Sequence, residues 1–234
     1  MKKAITHISI ALSILFFYSS CTVNNVTVDD SIAEYFKKRG LTGTFGMFDN
    51  SRGEFTIYDL DRFKTNFPAG QSMMLFSKLV GVHTGKLASD TIQIGFDSLN
   101  QLIGKDTMQC WIDSVKYGNK KWKKDSLTIS PDEQLGLIKR LYFKQLPFRG
   151  SAQEGIKKTL IVENNAQYQL AYQKNDLIYN NKKIAWVMGW IEENRHVYPF
   201  VINYEAPINA STSQISDQLC KEILTHIGFF KGIM

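Results

Sequence analysis

Cysteine and histidine are scarce, and their placement removes several kinds of chemistry at once. Three cysteines stand at 21, 110 and 220 in 234 residues. Once Cys21 is set aside, one pairing is the most that an oxidising compartment could give. Cys110 sits in Met108-Gln-Cys-Trp-Ile112, which reads as a packed helix, and Cys220 lies in the last helix, so buried free thiols are expected at both. The four histidines, His7, His83, His196 and His226, are scattered, and no His/Cys/Asp grouping has metal-ligand spacing. No cofactor or metal is expected. No apolar run beyond the first twenty residues approaches membrane-spanning length. The net charge of +6 comes from Lys2 and Lys3 and from short, interrupted lysine clusters such as Lys120-Lys121 and Lys182-Lys183. Those read as solvated loops and strand ends, and no nucleic-acid motif accompanies them.

What is present begins at the N-terminus. Lys2 and Lys3 precede an apolar run from Ile8 to Tyr18, and Ser19-Ser20 closes it directly before Cys21. That is the charge–apolar–small order of a secretory signal, with a run too short for a permanent spanning helix. A cysteine in that place resembles a lipobox, whose thiol is acylated and becomes the first mature residue; the other reading is an ordinary cleaved signal with Cys21 incidental. The expectation is a signal peptide over 1–20, a lipidated tether over 21–31 and one domain over 32–234, tethered to a bacterial membrane and facing the periplasm or cell surface. Removing the signal leaves 214 residues, enough for one core, and 44% apolar content excludes a disordered chain.

Along the domain, Ser31 to Arg39 reads as a short helix ended by Gly40, and 42–58 as an antiparallel hairpin turning at Asn50 to Gly53. Gln71 to His83 crowds its apolar residues into a largely buried helix ended by Thr84-Gly85, and short helices follow at 92–103 and 106–116. Ser130-Pro131-Asp132-Glu133 is a capping box with proline at the first helical position, predicting a helix that runs to Pro147. The last third changes period: strands at 168–172, 183–191 and 196–203, turn-rich segments at 173–182 and 192–195, then a closing helix over 211–227. A hairpin, then helices, then strands and a last helix predict an α+β fold. It has one mixed antiparallel sheet with a helical insertion, and terminal helices covering the sheet.

These elements resemble the class D, or oxacillinase-type, serine β-lactamases of the penicillin-recognising fold, over roughly 40–228. The resemblance rests on the hairpin from Thr42, Tyr58-Asp-Leu-Asp-Arg-Phe63, the helix ending Gly81-Val-His-Thr-Gly85, Tyr117-Gly118-Asn119, Ser130-Pro131, Leu146-Pro147-Phe148 and the strand Trp186-Val-Met-Gly-Trp190. That family acylates a serine in S-x-x-K, with a carbamylated lysine one helical turn on as the base. Counting back from Thr84-Gly85 puts Gln71 at the serine and Met74 at the lysine. A carboxamide does not form this acyl-enzyme, and a thioether accepts no proton at neutral pH. Ser72 is the candidate rescue, but Leu75 stands three residues after it; the bland reading of Ser72 is a helix-start hydroxyl bonded to backbone.

The other motif positions implied by the resemblance are Thr91 in Thr91-Ile92-Gln93 for the S-x-V hydroxyl, and Lys174 in Lys174-Asn175-Asp176 for the K-[ST]-G strand. Asp176 replaces the glycine there and adds a charge that repels a β-lactam carboxylate. Trp122 stands where the family keeps a tryptophan beside its lysine, and packing is the reading without that lysine; Tyr117 and Asn119 read as retained for loop structure. The expectation is a catalytically inactive relative with a binding role in the envelope. Its candidate partners are a β-lactam, a peptidoglycan-related ligand or an envelope protein. The alternatives are a weakly active enzyme acylated through Ser72, and a structural partner with no small-molecule affinity.

Overall fold

The computed structural model describes residues 25–88, 94–122 and 126–231. Its seven-stranded sheet runs in the order β1-β3-β2-β9-β8-β7-β6. The strands are β1 (Val26–Val28), β2 (Thr42–Asp49), β3 (Glu54–Tyr58), β6 (Ile161–Asn164), β7 (Tyr168–Tyr179), β8 (Lys182–Glu193) and β9 (His196–Ala206). A separate two-stranded ribbon pairs β4 (Phe67–Pro68) with β5 (Thr128–Ile129). The first long strand and the last are neighbours in the one sheet, with Thr42 opposite Glu205.

Two hairpins hold the right half of the sheet. β7 pairs with β8 across Asn180-Asn181, and β8 with β9 across Asn194-Arg195; all four residues have positive φ, between 49° and 65°. Both central residues left-handed is the type I′ turn that matches strand twist, and asparagine tolerates it. β8 splits its side chains by alternation. Trp186, Met188 and Trp190 enter the core on one face, while Ala185, Val187 and Ile191 enter the core on the other. Each large apolar side chain buried there contributes about 1.5–3 kcal/mol.

Helices α1 (Ala33–Lys37) and α8 (Thr212–His226) cover one face, around Phe36, Phe45, Phe200, Leu219 and Ile223. The other face carries the insertion: α2 (Leu60–Lys64), α3 (Met74–His83), α4 (Phe96–Ile103), α5 (Lys105–Val115), α6 (Pro131–Tyr142) and α7 (Gly150–Thr159). The capping box at Ser130 is formed in both directions: Ser130 Oγ accepts from the Glu133 N–H, and the Glu133 carboxylate accepts from the Ser130 N–H.

Several expectations are corrected. The segment read as a tether to residue 31 joins the fold earlier, because Val26-Thr27-Val28 adds a parallel edge strand against Phe55–Ile57 and Asp29 caps the turn at Asp30–Ile32. β-branched residues fit a pleated edge as well as they fit a linker. The helix from Ser130 ends at Tyr142 rather than Pro147: the chain turns out at Lys144, at φ +55°, and Leu146 is buried from the following loop. The turn-rich 173–182 is strand up to Tyr179, with every residue of β7 matched by β8. Cys110 is exposed, since Met108, Ile112 and Val115 define the inner face of α5 and Cys110 lies opposite. Cys220 is buried and free, and burial pushes its thiol far up. Cys21 and Thr91 lie outside the described residues.

Candidate functional site

The residues that the motif count sets at the nucleophile position lie at the start of α3, which has no local cap. A 3₁₀ turn over Gly70–Met73 feeds into it, and neither element has a side-chain cap bond. What fixes the turn is long-range. Gly70, at φ +44°, leaves space where a Cβ would sit 3.0 Å from Leu177 of β7, and Gln173 Nε2 donates to the Ser72 carbonyl at 3.3 Å. Gln71, counted to the serine place, is exposed. Met74, counted to the lysine place, is half-buried and packed against the larger core.

Ser72 is only 1% exposed. Its hydroxyl donates to the Ala69 carbonyl at 2.6 Å and accepts from Gln134 Nε2 of α6 at 3.1 Å. The proton that a nucleophile must surrender is therefore held by backbone, and its lone pair faces an amide N–H rather than a base. Tyr117 is buried beside this pair and stacked on Phe76 at 4.7 Å. Burial drives its phenol far above the usual range, so it remains protonated. Next along α3, the buried Ser77 hydroxyl donates to Asn100 Oδ1 at 2.9 Å. Burial lowers the half-buried Lys78 from its ordinary value.

The facing strand has its cation already engaged. Lys174 Nζ lies 2.5 Å from Asp217 Oδ2 of α8 and 3.3 Å from the Ser213 carbonyl, while Asp217 Oδ1 accepts from the Tyr172 hydroxyl at 2.7 Å. Burial raises the Asp217 carboxyl, but the hydrogen bonds from Lys174 and Tyr172 outweigh it, and the net direction is down. Asp176 accepts from the Thr212 hydroxyl and lies 3.6 Å from Lys183. The even-numbered residues of β7 thus turn toward α8, and the odd ones, Gln173 and Leu177, turn toward α3.

Tyr117-Gly118-Asn119 has a structural explanation. Gly118 is at φ +56°, and a Cβ there would lie 2.3 Å from the Thr128 carbonyl. Asn119 accepts the Lys121 N–H at 3.0 Å and donates to the Ser126 carbonyl at 2.7 Å, pinning its own loop. Trp122 is half-buried against the larger core.

Two depressions meet at Gln71. One, about 270 Å³, is polar and lined by Gln71, Lys174, Asn175, Asp176, Thr212, Ser213 and Ser216. The other, about 650 Å³, is lined by Pro68, Gly70, Gln71, Gly95–Ser98 and Leu177–Tyr179. A third of similar size lies at the opposite end of the sheet among Asp29, Asp30, Asp49, Glu54 and Glu193, and holds none of the motif residues. The sequence missed Gln134, Gln173, Tyr172 and Asp217. Only Gln134 left a trace, as a polar residue among the apolar positions of α6.

No family model matches the sequence. The regulatory protein BlaR1 of Bacillus licheniformis is 22% identical over 89% of this chain and 40% of its own length. The chain thus spans about two-fifths of that relative. β-Lactamase OXA-5 of Pseudomonas aeruginosa is 21% identical over 83% of this chain and 88% of its own. Among solved structures, the C-terminal domain of the B. licheniformis BlaR penicillin-receptor superposes with a TM-score of 0.78 at 22% identity, covering 89% of this chain and 98% of that domain. A class D β-lactamase from Fusobacterium nucleatum superposes at 0.76 and 25% identity, covering 88% of this chain and all of that enzyme. The chain shares the fold of these domains and is similar in sequence to BlaR1 and to class D β-lactamases.

Proposed function

We propose that this chain is a lipid-anchored, catalytically silent member of the penicillin-recognising fold that works in the bacterial cell envelope by binding rather than by covalent chemistry. One observation carries the reading. The first turn of this helix carries Gln71 and Met74, which we assign to the serine and lysine places, and its one hydroxyl, on Ser72, is buried between the Ala69 carbonyl and Gln134. The pairing of Lys174 with Asp217 supports it, because the cation that would meet a ligand carboxylate is already matched. A β-lactam or peptidoglycan-related ligand held without a bond is compatible with this site, as is an envelope protein. That one similar structure is a penicillin-receptor domain supports an envelope setting.

The test is incubation of the purified chain with a fluorescent penicillin followed by denaturing mass spectrometry. No mass increase is expected, and a stoichiometric adduct overturns the reading. Anchoring is tested separately. Labelled fatty acid should be incorporated at Cys21 and lost, together with membrane retention, in Cys21→Ser; an unlabelled, soluble wild-type product overturns it.

A further inference from the structure

His83 belongs to none of the depressions above, and its surroundings are specific. It ends α3, and its Nδ1 accepts the Arg149 backbone N–H at 2.9 Å. Arg149 Nη2 donates to the adjacent Val82 carbonyl at 2.8 Å. The ring meets Trp111 of α5 edge-on, with centroids 4.5 Å apart, and Phe148 at 5.5 Å. Arg149 directly precedes α7, and no side chain caps that helix. Two hydrogen bonds, both through Arg149, thus tie the start of α7 to the end of α3. The loop just before is held separately, by Gln153 Nε2 on the Leu146 and Phe148 carbonyls.

A ring nitrogen that accepts a hydrogen bond carries no proton, so this arrangement requires a neutral ring with its proton on Nε2. A protonated ring has two donors and no acceptor, and the Arg149 N–H would then face an N–H. The imidazolium would also stand beside the Arg149 guanidinium. No carboxylate offsets that pair among the described residues: Glu154 of α7 faces Lys144 and Lys157, and Asp113 of α5 accepts from Gln109. Lys86, beyond the end of α3, is turned to the Ile103 carbonyl. The C-terminal end of a helix favours a cation, yet burial first and Arg149 second hold His83 below its ordinary value.

We propose that His83 is an acid-released latch. Protonation of Nδ1 breaks the bond from the Arg149 amide, and repulsion moves the guanidinium off the Val82 carbonyl. The first turn of α7 then comes free of α3, while Phe148 and the bonds from Gln153 stay in place. Above the unfolded histidine value of about 6.5 the latch contributes its full stability. The folded value is lower, so that contribution is lost as pH falls through it. An envelope setting, as proposed above, would expose this contact to the acidity of the medium.

The test is NMR of backbone amides and imidazole nitrogens on the isotope-labelled full chain in detergent micelles, titrated from pH 8 to pH 5. At pH 8 the His83 Nδ1 should show the shift of an unprotonated nitrogen. As His83 titrates, with a midpoint below about 6.5, the Arg149 and Gly150 amides should shift with the same midpoint. Protection of the Arg149 amide from exchange should fall by about tenfold, the equivalent of one hydrogen bond, while the amides of β8 stay protected. His83→Asn sets a carboxamide oxygen near the place of Nδ1, an acceptor that does not titrate, and should hold both amides constant over the range. A protonated Nδ1 at pH 8, an Arg149 amide that does not follow His83, or a His83→Asn chain with the wild-type response overturns the inference. So does loss of protection in β8 together with Arg149, which would be unfolding of the whole domain. The penicillin mass measurement reads the other end of α3 and is independent of this outcome.

Discussion

Two helices of the insertion begin in opposite ways, and the contrast bears on the proposed loss of the catalytic site. At α6, Ser130 and Glu133 cap the first turn reciprocally, with Pro131 at its first position, all within four residues. At α3, nothing local caps the turn; Gly70 against Leu177, Gln173 on the Ser72 carbonyl and Gln134 on the Ser72 hydroxyl hold it instead. The two starts touch, because Gln134 belongs to α6. A turn built from distant partners can exchange its reactive residues for packing without losing the helix, which is the course we propose for the serine and lysine places at α3.

The largest effect that would sharpen this contrast is at Phe76. Its ring stacks on Tyr117 and meets Phe148 edge-on at 6.0 Å. Phe76→Ala should cost about 3–5 kcal/mol in denaturant unfolding, since α3 relies on packing for its place. Ser72→Ala comes next, at about 1–3 kcal/mol, because Gln134 Nε2 loses its acceptor in the interior. A double-mutant cycle with Gln134→Leu should show coupling; additive effects would mean that α6 does not hold the start of α3. Ser130→Ala should cost about 1 kcal/mol and couple only to Glu133, within its own turn. Stability equal to wild type would remove the claim that α6 is capped locally.

The smallest effect is on the other face. Hydrogen bonds from Arg39 and Lys38 hold the Glu222 carboxyl below its ordinary value, and those from Lys221 and Tyr168 do the same for Glu163. With folded values below unfolded ones, their stabilisation is present above the unfolded carboxylate value of about 4.3. It is lost as pH falls through the lower folded values. Melting temperature should decline from pH 5 toward pH 3, with a shallower fall in Glu222→Gln. The pairs are partly exposed, so the change is small and shrinks in high salt. An identical pH profile in the variant would contradict the assignment.

The same divide decides what was legible in the sequence. Ser130-Pro131-Asp132-Glu133, the hairpin from Thr42 and the closing helix announce themselves through local spacing, and the fold follows from their order. The count back from Thr84-Gly85 to Gln71 and Met74 was legible because it runs along one helix; their place as the family's serine and lysine is part of the proposal. Burial of Ser72 was not, since its partner Gln134 is 62 residues away. The strand from Gln173 to Asp176 reads as a turn because four polar residues in a row suit a loop. It forms because β8 pairs its backbone while Asp217, Thr212 and Lys183 satisfy Lys174 and Asp176. Cys110 was misplaced by an apolar neighbourhood in which only every third or fourth residue faces inward.

The central claim is that the start of α3 is packing where relatives of this fold keep chemistry. Denaturing mass spectrometry of the full chain after incubation with a fluorescent penicillin tests it most directly. The account predicts the unmodified mass in wild type and in Ser72→Ala alike. A stoichiometric adduct in wild type that disappears in Ser72→Ala would contradict it.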